Sequence, residues 1–478
     1  MHDKNFWENA LKNVLPIGEC FDILERKLKI GEKNATMFFI DGLVNGEVMP
    51  FVISHLLSID TKAISKIDNA KDFISQALPF LDASSEIELE PCVKQIFSGL
   101  VALTIEGFED IIIMDVRSYP NRSIEEPSKE KSLRGSKDGF VETFMTNIAL
   151  IRRRIRSPQL IFKSHILGQN TKTDVSLVYM KNKADLNIVE KISKQLDALN
   201  LKNVSVGEQT IVEHLVTSDR RHKSFFGWLN PFPKVRYTQR PDIAAAHIVE
   251  GKIAIIVDTS PTVILLPTGI FDFMQDVDDY YFPALTGNYF RLIRVFTFIG
   301  LLLLTPVYLL LAEGYIPVHE AIRFFIPAEE YAIPLLWQFI LLELAVDALK
   351  LASLNTPDSL GTSLSIIGAL ILGDFAVSSG WFIPQTILCM AVIALSSFAQ
   401  PSIELGYAIK FMRILILFGI GIGSLFGNTA AIIGGVIALV IDFIAIATTK
   451  TIVGTSYLYP LIPFNKDAMK HLVFRTKR

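Results

Sequence analysis

Residues 292–448 carry 15 Asp, Glu, Lys and Arg among 157 positions, whereas the remaining 321 positions carry 80. A soluble fold needs charge on most of its surface, so a stretch this long and this poor in charge fits helices whose solvent is lipid. The chain therefore joins a charge-rich N-terminal part to a lipid-compatible C-terminal part. Its half-hydrophobic composition over 478 residues agrees, as does a mean hydropathy of +0.38. A net charge of −3 excludes a generic nucleic-acid binder, which needs excess cations against phosphate. Three scattered cysteines exclude a disulfide framework, and 10% aromatic residues exclude a disordered chain.

Spanning a bilayer takes about 20 mostly apolar residues in an unbroken helix. Residues 292–312 (LIRVFTFIGLLLLTPVYLLLA) meet this best; 361–380 and 382–399 form a closely spaced pair, and 411–427 with 429–448 a glycine-rich one. Residues 335–354 are less apolar, with Glu343, Asp347 and Lys350 spaced to share one helical face. Basic residues mark the cytosolic ends of spans. Arg291 and Arg294 precede the first span, Lys410 and Arg413 the fifth, and Lys450 with HLVFRTKR follows the last. The loop after the first span instead holds Glu313, Glu320, Glu329 and Glu330 beside Arg323. Six crossings put every basic cluster, and both termini, on the cytosolic side. The N-terminus lacks a basic stretch followed by an apolar core, so the large N-terminal part is expected to stay in the cytosol.

Residues 1–290 read as α/β structure in two similar subdomains, 1–117 and 140–290, ahead of a membrane domain at 291–450 and a basic tail at 451–478. In the first, MFFI (37–40) reads as a buried strand and 50–59 as a helix. In the second, VSLVYM (175–180) reads as a strand and 186–199 as a helix. Each subdomain closes on an apolar helix passing through Gly into a strand, at 99–116 and 244–261, which suggests duplication; two unrelated α/β modules would look alike. Residues 118–139, rich in Ser, Pro, Gly and charge, read as a linker. Beyond it, Arg152, Arg153, Arg154 and Arg156 could contact lipid headgroups or another subunit, or form a solvated, salt-bridged face.

No phosphate loop, nucleophile elbow or HExxH helix occurs, so neither enzyme activity nor a cofactor is expected. Cys20, Cys92 and Cys389 are too dispersed for a metal site and read as buried thiols. What remains is ionisable groups among apolar residues, which usually face protein or water. Asp374 is the clearest. At helical spacing Ser363, Ile367, Leu370, Asp374 and Ser378 share a face, a pattern suited to a cation path with an apolar constriction. A hydrogen-bonded Asp374 with no ion passing fits the same pattern. Glu343 and Asp347 could form an acidic vestibule or pair with Lys350.

Four strings carry a family resemblance: LRGSKDGFVETFMTNIALIRRRIRSPQL (133–160), GQNTKTDVSLVYM (168–180), NPFPKVRYTQRPDIAAAHIVEGKIAIIVDTSP (230–261) and NYFRLIRVF (288–296). They resemble the A subunits of the spore germinant receptors of endospore-forming bacteria, over essentially the whole chain. The short N-terminus, DVRSYPNRSIEEP (115–127) and PFN (463–465) look like one branch of that family. The resemblance implies a multi-span protein of the spore inner membrane with its α/β region facing the core. It implies a homo-oligomeric, pentameric channel releasing monovalent cations early in germination. For that branch it further implies amplification of the response beside a small membrane partner and other germination proteins. The chain departs from the family at Gln239, where the TERPD motif has Glu, and at VGTSYLYP (453–460), which replaces SFGVPY. A non-conducting scaffold and a small-solute transporter are the competing functional readings.

Overall fold

A computed structural model describes residues 6–65, 67–78, 82–118, 130, 135–199, 201–204, 207–217, 230–276, 278–327, 331–355, 376–466 and 469. The chain divides into two compact units, one of residues 1–224 and 235–267, the other of residues 225–234 and 268–478.

The first unit is built on two five-stranded sheets. One contains β1 (Ile23–Ile30), β2 (Lys33–Ile40), β3 (Ala83–Glu86), β4 (Val101–Ile105) and β5 (Ile111–Met114), in the order β1-β2-β4-β5-β3. The other contains β6 (Leu160–Leu167), β7 (Thr173–Met180), β8 (Arg236–Thr238), β9 (Ile253–Val257) and β10 (Val263–Leu266), in the order β6-β7-β9-β10-β8. Every pairing is antiparallel, and the second sheet repeats the strand order of the first. The inner strands β4, β5, β9 and β10 are buried at every position, which is why they read as unbroken apolar runs. Edge strand β1, ILERKLKI, keeps charge along an exposed rim.

The duplication extends to helix endings. Helix Leu89–Phe97 leads into β4 and helix Pro241–Val249 into β9. After each helix a glycine takes left-handed backbone, Gly99 at φ 90° and Gly251 at φ 100°. Gly99 N–H bonds Ile96 O and Leu100 N–H bonds Gln95 O; Gly251 bonds Ile248 O and Lys252 bonds His247 O. Both are Schellman endings. The helix expected within 99–116 is therefore wrong: VALTI is β4, and the helix ends at Phe97, before Gly99. Short apolar runs carry no period that separates strand from helix, and length decides.

In the second unit, long helices run over Ala284–Ala312, Leu335–Asn355, Ile403–Ser424 and Asn428–Thr448, with a shorter one at Pro384–Phe398. Among the described residues, Ala284–Ala312, Ile403–Ser424 and Asn428–Thr448 are long and apolar enough to cross a membrane. Leu335–Asn355 has the length but carries Glu343, Asp347 and Lys350. Of the expected span at 361–380, all but its last five residues lie outside the described residues; Ala376–Ser378 is a short helical turn. The Ile403–Ser424 helix begins eight residues before the expected start at 411, so Lys410 and Arg413 lie within it rather than flanking it.

The last two helices pack backbone to backbone. A Cβ on Gly434 would lie 2.2 Å from Gly419 O, and one on Gly423 would lie 2.2 Å from Ala430 O, so neither position admits a side chain. The core around them is filled by Leu335, Phe339, Leu342, Leu405, Ile409 and Leu417 among others. Tyr457, within the VGTSYLYP string, is fully buried against Phe232 and Phe273, and its carbonyl accepts Ile270 N–H at 3.0 Å.

Candidate functional site

The helical unit pairs most of the charges it buries. Glu343 and Asp347 stand one turn apart on the Leu335–Asn355 helix, and Lys410 and Arg413 three residues apart on the Ile403–Ser424 helix. Glu343 is 4% exposed and Arg413 2%. Arg413 Nε donates to Glu343 Oε1 at 2.9 Å, its Nη2 binds the same oxygen, and its Nη1 donates to Leu301 O on the Ala284–Ala312 helix. Lys410 pairs with Asp347 and lies 3.6 Å from Glu343 Oε2. An ion pair of this kind holds in a low-dielectric interior because each charge finds an opposite charge and further hydrogen bonds. Three helices are thereby tied together at one level.

The expected Lys350 partner is thus displaced by Lys410 and Arg413. Lys350 instead stands 5.3 Å from the Phe398 ring centroid and 5.7 Å from that of Tyr407, with Nζ 3.4 Å from Ser397 Oγ. Glu343 and Asp347 are thus both paired with cations of the same chain.

A similar knot sits where the first long helix begins. Asp279 is fully buried and accepts from Arg294 Nη1 at 2.6 Å and Nη2 at 2.8 Å, with Arg291 Nε 3.4 Å away. Gln338, also fully buried, receives Ile383 N–H at 3.1 Å and the Thr386 hydroxyl at 2.9 Å on Oε1, satisfying the start of the Pro384–Phe398 helix.

Of the residues expected to line a path, Ser363, Ile367, Leu370 and Asp374 lie outside the described residues. Ser378 is exposed at the end of its helical turn. A carboxylate that the sequence reading passed over is Asp442, on the face of the last helix shared with Ala431, Gly435 and Ala438. It is 4% exposed, and its Oδ2 has no hydrogen-bond partner. The signal was present: a lone Asp within the apolar run 429–448 costs as much in lipid as Asp374 does.

The arginine run in the α/β unit separates by burial. Arg152 is fully buried, donating to Asp22 through Nε at 3.0 Å and Nη2 at 2.9 Å, to Leu160 O at 3.0 Å and to Cys20 Sγ at 3.2 Å. It has no surface to offer a headgroup or another subunit, which corrects the expectation for that residue. Arg154 binds both Asp138 oxygens, at 2.6 and 2.7 Å. Burial pulls Asp138 up, but the bonds from Arg154 and Ser136 outweigh it and hold the carboxyl below its usual range. Arg153 and Arg156 are exposed.

The departure at Gln239 leaves the neighbouring ion pair intact. Gln239 acts through its backbone, donating to Glu130 Oε2 at 2.7 Å and accepting Phe140 N–H at 2.8 Å. Arg240 reaches Asp242 through Nε at 3.1 Å and Nη2 at 2.7 Å. Burial raises the Glu130 carboxyl above its usual range, against the bonds from Gln239 and Thr238.

The family model described as the Bacillus/Clostridium GerA spore germination protein matches residues 9–478. The chain belongs to this germination family. Stage V sporulation protein AF of Bacillus subtilis (strain 168) is 34% identical over 471 residues, covering 98% of this chain and 92% of that relative. Spore germination protein KA of the same organism is 26% identical, covering 98% and 84%. Among solved structures, the N-terminal domain of the A subunit of the Bacillus megaterium spore germinant receptor GerK3 is 25% identical over 54% of this chain and 92% of that one, with a TM-score of 0.39. The membrane-associated character of this GerA-family chain follows from its helices, and its place is a spore membrane.

Proposed function

We propose that this chain is a membrane subunit of a spore germination complex: a homo-oligomeric, pentameric channel in the spore inner membrane that releases monovalent cations and amplifies germination. It is not an enzyme. Its α/β region and C-terminus face the spore core, and its partners are lipid, further copies of itself, a small membrane protein and other germination proteins.

The observation that carries this reading is the packing of the helical unit among its described residues. The interior holds packed Leu, Phe and Ile side chains, and Glu343 and Asp347 are neutralised within the chain. Cations therefore need an axis between copies, and closed rotational symmetry supplies one. The last helix also exposes Ile433, Val436, Ile437, Val440, Ile441 and Ile444, each about half exposed, a surface suited to lipid and to neighbouring copies. Asp374, with Ser363, Ile367, Leu370 and Ser378 on its face, is assigned to the path on the sequence pattern.

Particle images of the purified chain test the assembly: a five-fold ring is expected, and a monomer in lipid nanodiscs contradicts it. A ring that passes no ions in liposomes makes the chain a scaffold; saturable solute counterflow makes it a transporter.

A further inference from the structure

A cavity of about 240 Å³ opens beside the paired charges, between the Ala284–Ala312, Leu335–Asn355, Pro384–Phe398 and Ile403–Ser424 helices. Its lining includes Glu343, Asp347, Lys350, Lys410 and Arg413. Arg413 holds Glu343 and Lys410 holds Asp347. Lys350 is left as the lining cation with no carboxylate partner among the described residues; its neighbours are two ring faces and Ser397 Oγ. Such an ammonium has N–H donors to spare, and an anion satisfies both its charge and its donors.

The position of the cavity selects the kind of anion. Phe398 ends its helix, Tyr407 stands in the second turn of the next, and Lys350 in the last two turns of Leu335–Asn355. Interfacial aromatics and lysines sit at this depth. Gln400, next to Phe398 and Ala399, donates Nε2 to Arg294 O at 3.2 Å, so this is the end at which the first long helix carries its basic residues. Phe398 and Ile403 of the lining are 73% and 64% exposed, and Leu351, next to Lys350, is 62% exposed. The volume is below that of a pocket for a drug-sized molecule. It suits a headgroup whose chains lie outside, along those apolar side chains.

We propose that this cavity binds the phosphate of an anionic phospholipid at Lys350, with the acyl chains against Leu351, Phe398 and Ile403. The site is independent of ion conduction, because among the described residues its lining charges balance within one chain plus one lipid.

The purified full chain is exchanged into nanodiscs of phosphatidylcholine with or without phosphatidylglycerol, and retained lipid is counted by native mass spectrometry alongside thermal unfolding. Phosphatidylglycerol should be retained and raise the melting temperature, with binding about five- to tenfold weaker in Lys350→Gln and preserved in Lys350→Arg. Inorganic phosphate alone, added to the phosphatidylcholine sample, should give no shift. An equal shift from phosphate alone overturns the lipid assignment in favour of a free anion. Equal retention of the two lipids, or unchanged phosphatidylglycerol binding by a folded Lys350→Gln, overturns the site. The readout is bound lipid rather than ion flux, so its failure leaves the channel reading standing, and the reverse holds.

Discussion

Arg152 and Asp22, 130 residues apart in sequence, are both fully buried and meet through Nη2 at 3.0 and 2.9 Å and Nε at 3.0 Å. The guanidinium is sandwiched between the rings of Phe97, from the first α/β repeat, and Phe162, from the second, at 5.1 and 4.7 Å. The pair therefore binds the two repeats together. Removing one partner leaves a charge with no water and no counter-ion, a loss of about 3–5 kcal/mol. Arg152→Ala or Asp22→Ala should accordingly lower the denaturation midpoint strongly. The double replacement Asp22→Leu with Arg152→Met should lose less than either, as measured by chemical denaturation of the intact chain.

The Glu343–Arg413 pair makes the corresponding prediction for the helical unit. Glu343→Ala and Arg413→Ala should each reduce the yield of folded protein from membranes. In a double-mutant cycle by thermal unfolding in detergent, the two should couple by about 0.5–3 kcal/mol, since each single change strands the other charge. Purely additive losses would mean that the pair holds nothing.

Gly434 and Gly423 test the hairpin of the last two helices. Any side chain there meets the opposing backbone at 2.2 Å. Gly434→Leu should separate the helices, read as faster proteolysis after residue 448, whereas Gly427→Ala, with open space around its Cβ, should disturb only its own left-handed turn at φ 119°.

Cys92 supplies a pH test. It is fully buried, and burial pushes its thiol up to about 12 from an ordinary 9.0, with Glu86 adding to the rise. The folded state thus holds this proton more tightly than the unfolded state. The resulting stability is complete below pH 9 and is lost as pH rises from 9 towards 12. Alkylation at pH 8 should be slow and should track unfolding; Cys92→Ala should flatten the alkaline loss.

The fold was legible wherever a local pattern carried it. MFFI is apolar throughout and VSLVYM at all but Ser176 because β2 and β7 lie inside their sheets, and both strands were expected. VALTI was taken for a helix because five apolar-leaning residues show no period, and the decisive Gly99 was read as the start of the element instead of the end of the one before. The site was less legible because its partners are distant. Lys410 and Arg413 look like a basic flank until Glu343 and Asp347, some 63 to 70 residues earlier, are brought across from another helix. Arg152 looks like its exposed neighbours Arg153 and Arg156, and only the fold delivers Asp22 to it.

The most direct test of the account is potassium efflux from liposomes carrying the purified, assembled chain, compared with the same chain bearing Asp374→Ala. Efflux above that of empty liposomes, changed by the substitution while assembly is preserved, is the predicted result. Correctly assembled protein that releases no potassium, with or without Asp374, would contradict it.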